Sequence, residues 1–223
     1  MDNKSSFFVN QYDDNIRKVI PFYDEIYRQV FDVIDMYFGH KALSVLDTGC
    51  GTGTFGLRAC ETLNLSKLIL CDPSQKMIDE AKRKLNIYTC EFNCIGSENL
   101  DYEEEFDLVT AIQSHHYFDK ATRRKAVFNC FKSLKPKGMF IYFENIAPNS
   151  EAGKEIMLKR LEKYEFNAGR NTEEIKSHSE RYNKEYFPIT ISEHFEVLEN
   201  SGFQAYELFW HSYMQSGFYA IKL

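Results

Sequence analysis

From Leu43 onward the chain alternates short apolar runs with longer amphipathic ones. ALSVLDTG, KLILCD, IYTCEFNC, FDLVTAI and GMFIYFEN are rich in apolar and aromatic residues and bounded by Gly, Asp or Asn, the pattern of strands buried on both faces. Between them, TFGLRACETLN, SQKMIDEAKRKLN and KATRRKAVFNCFKSLK space their apolar positions by three and four residues. Phe128, Phe131 and Leu134 show that spacing in the third run, and it predicts helices. Strand alternating with helix predicts an α/β fold with a parallel sheet covered on both faces.

Two further pieces frame this core. Residues 10–38 predict one or two helices with Ile16, Ile20, Tyr23, Ile26 and Tyr27 on one face. Residues 150–186 read as a polar, nearly charge-balanced helical insertion. The chain then returns to the sheet through a helix from Ser192 to Ser201 and the strands FQAYELFWHS and SGFYAIKL. So few residues separate these strands that they must pair as an antiparallel hairpin. The expected organisation is a single domain over 1–223: a helical cap (1–40), a ligand-binding core (41–148), a helical lid (149–188), and a C-terminal helix and hairpin (189–223).

Composition narrows the partners. With 223 residues, 43% hydrophobic and 27% charged, the chain can bury a large core without disulfides or metals. Its formal net charge of −6 counts against nucleic acid, which clustered Lys and Arg would hold. The opening MDNKSSFFVNQYDDN lacks a signal peptide's basic head and apolar stretch. No run approaches the length of a membrane span, so a cytoplasmic protein is expected. The six cysteines show no CxxC spacing and read as reduced thiols. Cys90 and Cys94 with His115 and His116 fit no zinc pattern, so no metal is expected.

The candidate chemistry begins at VLDTGCGTGTFG, where Gly49, Gly51 and Gly53 follow the first strand. Ligands of open parallel sheets bind beyond the carboxyl ends of the strands, and glycine lets a ligand approach the backbone. A dinucleotide fingerprint would put its third glycine at Thr54. Asp47, two residues before the first glycine, would repel a pyrophosphate and favour a ligand that presents a cation. Nineteen residues after Gly53, Asp72 ends the second strand, well placed for a ribose diol. An acid for an ammonium group, open backbone and an acid for a ribose together describe S-adenosylmethionine.

These residues resemble the class I S-adenosylmethionine-dependent methyltransferases over nearly the whole chain. VLDTGCGTG resembles their first motif and LILCDPSQKMIDEAKRKL their second. FDLVTAIQSHHYF and SLKPKGMFIYFEN resemble their fourth- and fifth-strand motifs. The resemblance implies a Rossmann-like, seven-stranded, mostly parallel sheet with an antiparallel last strand. It implies that Asp47, Gly49, Gly51 and Gly53 line the methionine moiety, Asp72 holds the ribose, Met77 packs on the adenine, and Gln113 meets the amino-acid portion. Where members carry a segment like GDAENL, this chain has IGSENL, which offers Ser97 to the adenine. IRKVIPFYDEIYRQV and HFEVLENSGFQAYELFWHSYMQSGFYAIKL are similar to the carboxy-S-adenosylmethionine synthase group. That likeness nominates Tyr23 for the cofactor and Arg181 for a carboxylate, although Ile112 stands where that group has Asn.

The reaction expected is methyl transfer to a small-molecule acceptor, with S-adenosylhomocysteine as product. His115 and His116 follow the fourth strand and are candidate bases. Tyr117, with Tyr23 and Phe118, is a candidate to face the sulfonium. Glu144 and Asn145 end the fifth strand on the acceptor side. The rivals are a carboxy-S-adenosylmethionine synthase-like enzyme, a non-catalytic S-adenosylmethionine-binding protein, and an RNA or DNA methyltransferase; QSHHYF stands where base methylation would want an NPPY- or DPPY-like segment. A nicotinamide oxidoreductase is disfavoured by Asp47 and the glycine spacing. An aminopropyltransferase would need an acidic acceptor cluster that is not evident. The aromatic hairpin around Trp210 is a surface for pairing two copies as a homodimer or simply packed sheet.

Overall fold

The computed structural model describes residues 7–223. Its strands are β1 (Leu43–Thr48), β2 (Leu65–Cys71), β3 (Glu91–Asn93), β4 (Phe106–Ile112), β5 (Leu134–Asn145), β6 (Ala205–Ser212) and β7 (Gln215–Ile221). They form one seven-stranded sheet in the order β3-β2-β1-β4-β5-β7-β6. Neighbours among β1–β5 run parallel, and β7 runs antiparallel to both β5 and β6. The order reverses at β1, which has β2 on one side and β4 on the other, so a crevice opens beyond the carboxyl ends of β1 and β4. β3 is shorter than IYTCEFNC predicts, because only Glu91–Asn93 pair with β2.

The helices between the strands are α3 (Thr54–Thr62), α4 (Gln75–Lys84) and α5 (Lys120–Ser133), with α8 (Ile191–Asn200) before the hairpin. Side chains alternate across a strand, so each central strand feeds two cores. Val45, Leu108 and Ile141 pack toward α3 and α4, whereas Leu46, Val109 and Phe140 pack toward α5 and α8. One expectation is corrected in α5. Phe128 is 45% exposed, because the buried face of the helix runs through Arg123, Ala126, Val127 and Cys130.

The N-terminal segment divides at Pro21. α1 (Val9–Asn15) continues into a 3-10 turn, Phe22 takes a left-handed φ of 59°, and α2 (Tyr23–Phe38) follows. A proline disfavours helix in the residue before it and cannot donate a backbone hydrogen bond. α2 buries Ile26, Val30 and Ile34 on the α3 side of the sheet. After β5 the chain forms α6 (Glu151–Asn167) and α7 (Thr172–Ser179). α7 begins with a capping box in which the Asn171 side chain and the Glu174 side chain each take the other's backbone N–H, which stabilises so short a helix. No helix among the described residues is long and apolar enough to cross a membrane.

Candidate functional site

The glycine loop leaves β1 at Thr48, and its three glycines have positive φ of +66°, +54° and +79°. They do different things. A Cβ on Gly51 would meet nothing within 4 Å, so this backbone faces open space. A Cβ on Gly49 would lie 2.4 Å from the Ser114 Cβ, so glycine is needed there for the loop to close on the end of β4. Gly53 caps α3 against Leu85 and Ala81 and does not line the cavity, contrary to its expected place beside the methionine moiety.

A cavity of about 450 Å³ opens beside this loop. Tyr23, Asp47, Gly49, Gly51, Asp72 and Met77 line it, and so do Ser97, Gln113 and Tyr117. Asp47 is 1% exposed. One of its oxygens accepts from the Thr110 hydroxyl at 2.8 Å, and the other has no partner among the described residues. Burial, opposed by that hydrogen bond, raises its carboxyl from 3.8 to about 7. Asp72 is oriented differently: Oδ2 accepts from Gly51 N–H at 3.0 Å and Oδ1 from Ser74 N–H at 2.8 Å. Burial raises its carboxyl too.

This arrangement tests the expected ligand. An unpartnered, buried carboxylate oxygen is costly alone and fits a ligand that brings an ammonium group. Bare glycine backbone leaves room beside it, and Asp72 at the end of β2 suits a ribose diol. Among the described residues no Lys or Arg lines the cavity, so a pyrophosphate would meet two carboxylates and no described cation. The residues present fit S-adenosylmethionine.

A second, smaller cavity of about 50 Å³ adjoins the first. Tyr12, Gln113 and Tyr117 line both, so they form the partition between them. Around the smaller cavity stand His116, Asn145, His178 and Arg181. Gln113 donates to Gln215, and Gln215 donates to Asn145, a ladder that fixes all three amides. Gln113 is held at φ 58° as it leaves β4. Arg181 is buried, donates from Nε to Glu185 at 2.6 Å and hydrogen-bonds Tyr117.

The two expected bases separate. His116 lines the smaller cavity, and its Nδ1 lies 3.0 Å from Glu144 Oε2. His115 lies behind the wall: its Nε2 meets the Ser97 hydroxyl at 2.9 Å and it lines neither cavity. Burial lowers its imidazole from 6.5 to about 4, so it stays neutral. Glu144, expected on the acceptor side, is 0% exposed. Its oxygens accept from His115 N–H and His116 Nδ1, so it orients the histidines and does not meet an acceptor. Burial would raise its carboxyl, but the charge and hydrogen bond of His116 outweigh that and hold it at about 2.

Tyr12, His178 and Gln215 were not singled out from sequence. Tyr12 precedes the apolar face that marks the N-terminal helices, and His178 lies in the polar insertion. Only Gln215 left a trace, as a polar residue inside an apolar strand.

Comparison with known proteins agrees with this geometry. Residues 45–138 match the family model described as a methyltransferase domain. Residues 45–138 therefore carry a methyltransferase domain, and S-adenosylmethionine is the cofactor of the class I methyltransferases that the chain resembles. Over 198 residues it is 26% identical to the carboxy-S-adenosyl-L-methionine synthase of Nautilia profundicola, covering 88% of this chain and 84% of the relative. The Staphylococcus epidermidis protein of the same name is 22% identical, with 98% and 96% covered. Among solved structures, an S-adenosylmethionine-dependent methyltransferase from Thermotoga maritima shares the fold at a TM-score of 0.61 and 18% identity, covering 98% and 97% of the two chains. The [4+2]-cyclase SpnF shares it at 0.57 and 18%, with 81% and 58% covered. The fold therefore does not by itself decide the reaction.

Proposed function

We propose that this chain is an S-adenosylmethionine-dependent methyltransferase acting on a small, acidic acceptor. The observation that carries this reading is the pair of cavities meeting at Tyr12, Gln113 and Tyr117. The larger suits the cofactor, the partition is where a reacting methyl would lie, and the smaller is left for the acceptor.

S-adenosylmethionine supplies a methyl group already activated on a sulfonium. The chain's task is alignment and exclusion of water, which can be worth about 7–11 kcal/mol when the bound geometry is close to attack. Tyr12 and Tyr117 at the partition can face the positive sulfur, worth roughly 0.5–2 kcal/mol. Arg181, buried beside the smaller cavity, suits a carboxylate. That cavity is much smaller than the first, which favours a small acceptor.

A second reading is carboxy-S-adenosylmethionine synthesis. It is supported by the relatives named carboxy-S-adenosyl-L-methionine synthase, which align over most of both chains, and by Arg181 at the smaller cavity, a cation that a new carboxylate would need. One experiment separates the two. The chain is incubated with S-adenosylmethionine and small carboxylic acids, and the cofactor products are read by mass spectrometry. S-adenosylhomocysteine supports methyl transfer, and a cofactor heavier by one CO2 unit supports the synthase reading. Binding without either product favours a non-catalytic role.

A further inference from the structure

The insertion after β5 does more than cover the site. His178, near the end of α7, lies with Nδ1 2.6 Å from Glu165 Oε1 of α6. Glu165 is 1% exposed, and its other oxygen accepts from Arg170. A carboxylate has no proton to give, so Nδ1 is the donor and, in the neutral ring, Nε2 keeps its lone pair. Glu165 does not line the smaller cavity, whereas His178 does. His116 reaches the same cavity from the core with its own Nδ1 held by Glu144. Two imidazole–carboxylate pairs therefore close on one small space that also contains Arg181.

We propose that His178 is a catalytic residue supplied by the lid: its Nε2 receives the hydrogen bond and then the proton of a protic acceptor whose carboxylate is held by Arg181. The proposal rests on the methyl-transfer reading. The acceptor oxygen or sulfur bonds to the methyl carbon, and the sulfonium–methyl bond breaks with its electron pair left on sulfur. The acceptor proton passes to His178 Nε2 and from there to solvent. The substrate class is thus a small hydroxy or mercapto acid, and Glu165 is the positioning residue that fixes the tautomer.

The test uses the full chain saturated with S-adenosylhomocysteine and three probes sized to the cavity: glycolate, mercaptoacetate and acetate. Glycolate or mercaptoacetate should bind about tenfold more tightly than acetate, the worth of one good hydrogen bond. In His178→Asn the side-chain nitrogen sits where Nδ1 sat and keeps the bond to Glu165. That variant should retain S-adenosylhomocysteine affinity and melting temperature yet lose the preference. Equal binding of the three acids by the wild type, or a preference that survives in His178→Asn, overturns the proposal. As a readout that needs no variant, the 15N resonance of one Nδ1-protonated imidazole should shift at Nε2 on adding glycolate, and an unchanged spectrum also overturns it. Failure of the wild type to bind S-adenosylhomocysteine overturns the cofactor reading instead.

Discussion

Thr110 on β4 donates to Asp47 on β1 at 2.8 Å, and that single bond leaves Asp47 Oδ2 buried and unpartnered among the described residues. The protein thus buries a carboxyl beside the cavity that is costly to ionise alone and that a ligand cation would complete. Asp47→Asn should therefore separate stability from binding. The amide removes a buried ionisable group, so the ligand-free protein should be more stable above pH 7, by about 1–3 kcal/mol. Loss of a charge-assisted contact should weaken S-adenosylhomocysteine roughly ten- to hundredfold. Thermal melts and calorimetry on the same variant check both outcomes, and stability and affinity falling together would contradict the account.

The same carboxyl sets a pH dependence. Its folded-state value is raised from 3.8 to about 7, so between these pH values the folded, ligand-free chain holds a proton that the unfolded chain has released. Stability contributed by Asp47 is therefore lost as pH rises from about 4 to 7. Binding an ammonium group requires the ionised form and must expel that proton. Affinity for S-adenosylhomocysteine should fall as pH drops below 7, by up to about tenfold per unit. Calorimetry at pH 6 in two buffers of different ionisation enthalpy should show proton release, and Asp47→Asn should reduce it.

The cofactor side of the site was legible because its parts are local. Asp47, the glycines and Asp72 sit at the ends of two predicted strands, and a parallel sheet brings such ends together by topology alone. The acceptor side was not legible in the same way. Arg181 and His178 join His116 around the smaller cavity only through the folding of the insertion onto the core, and no spacing in sequence encodes that meeting, whereas Asn145 reaches it at the end of β5. Gly53 shows the converse limit: a motif glycine can serve helix packing against Leu85 rather than the ligand. Periodicity also misplaced Phe128, whose three-residue spacing to Phe131 does not follow the face that α5 buries.

Asp13 fastens α1 to the cofactor loop. Its carboxylate accepts from the Thr52 hydroxyl at 2.8 Å and pairs with Lys84 Nζ at 2.7 Å, while neighbouring Tyr12 lines both cavities. Tyr12 also packs partly buried against the core, and these polar contacts add to the attachment of α1. Asp13→Asn should loosen the helix over the cofactor. For a part-exposed pair worth about 0.5–1 kcal/mol, release of S-adenosylhomocysteine should quicken about two- to fivefold with little change in melting temperature. Stopped-flow displacement measures this, and an unchanged off-rate would show that α1 does not gate the pocket.

Glu144 is the residue on which the acceptor wall depends for its order. It is 0% exposed and accepts from His115 N–H at 2.9 Å and from His116 Nδ1 at 3.0 Å. Glu144→Gln can offer only one acceptor oxygen and turns an amide N–H toward one of these donors. The cost should be about 3–5 kcal/mol, the range for breaking a buried pair by changing one partner. Its pH dependence distinguishes this from generic core damage. The folded-state carboxyl is held at about 2 against 4.5, so its stabilisation is complete above about pH 4.5 and disappears as pH falls toward 2. The stability gap between wild type and Glu144→Gln should therefore be wide at pH 7 and narrow at pH 3. Denaturant melts at the two pH values provide the check, and a gap that stays constant would mean that the carboxylate is not held by His116.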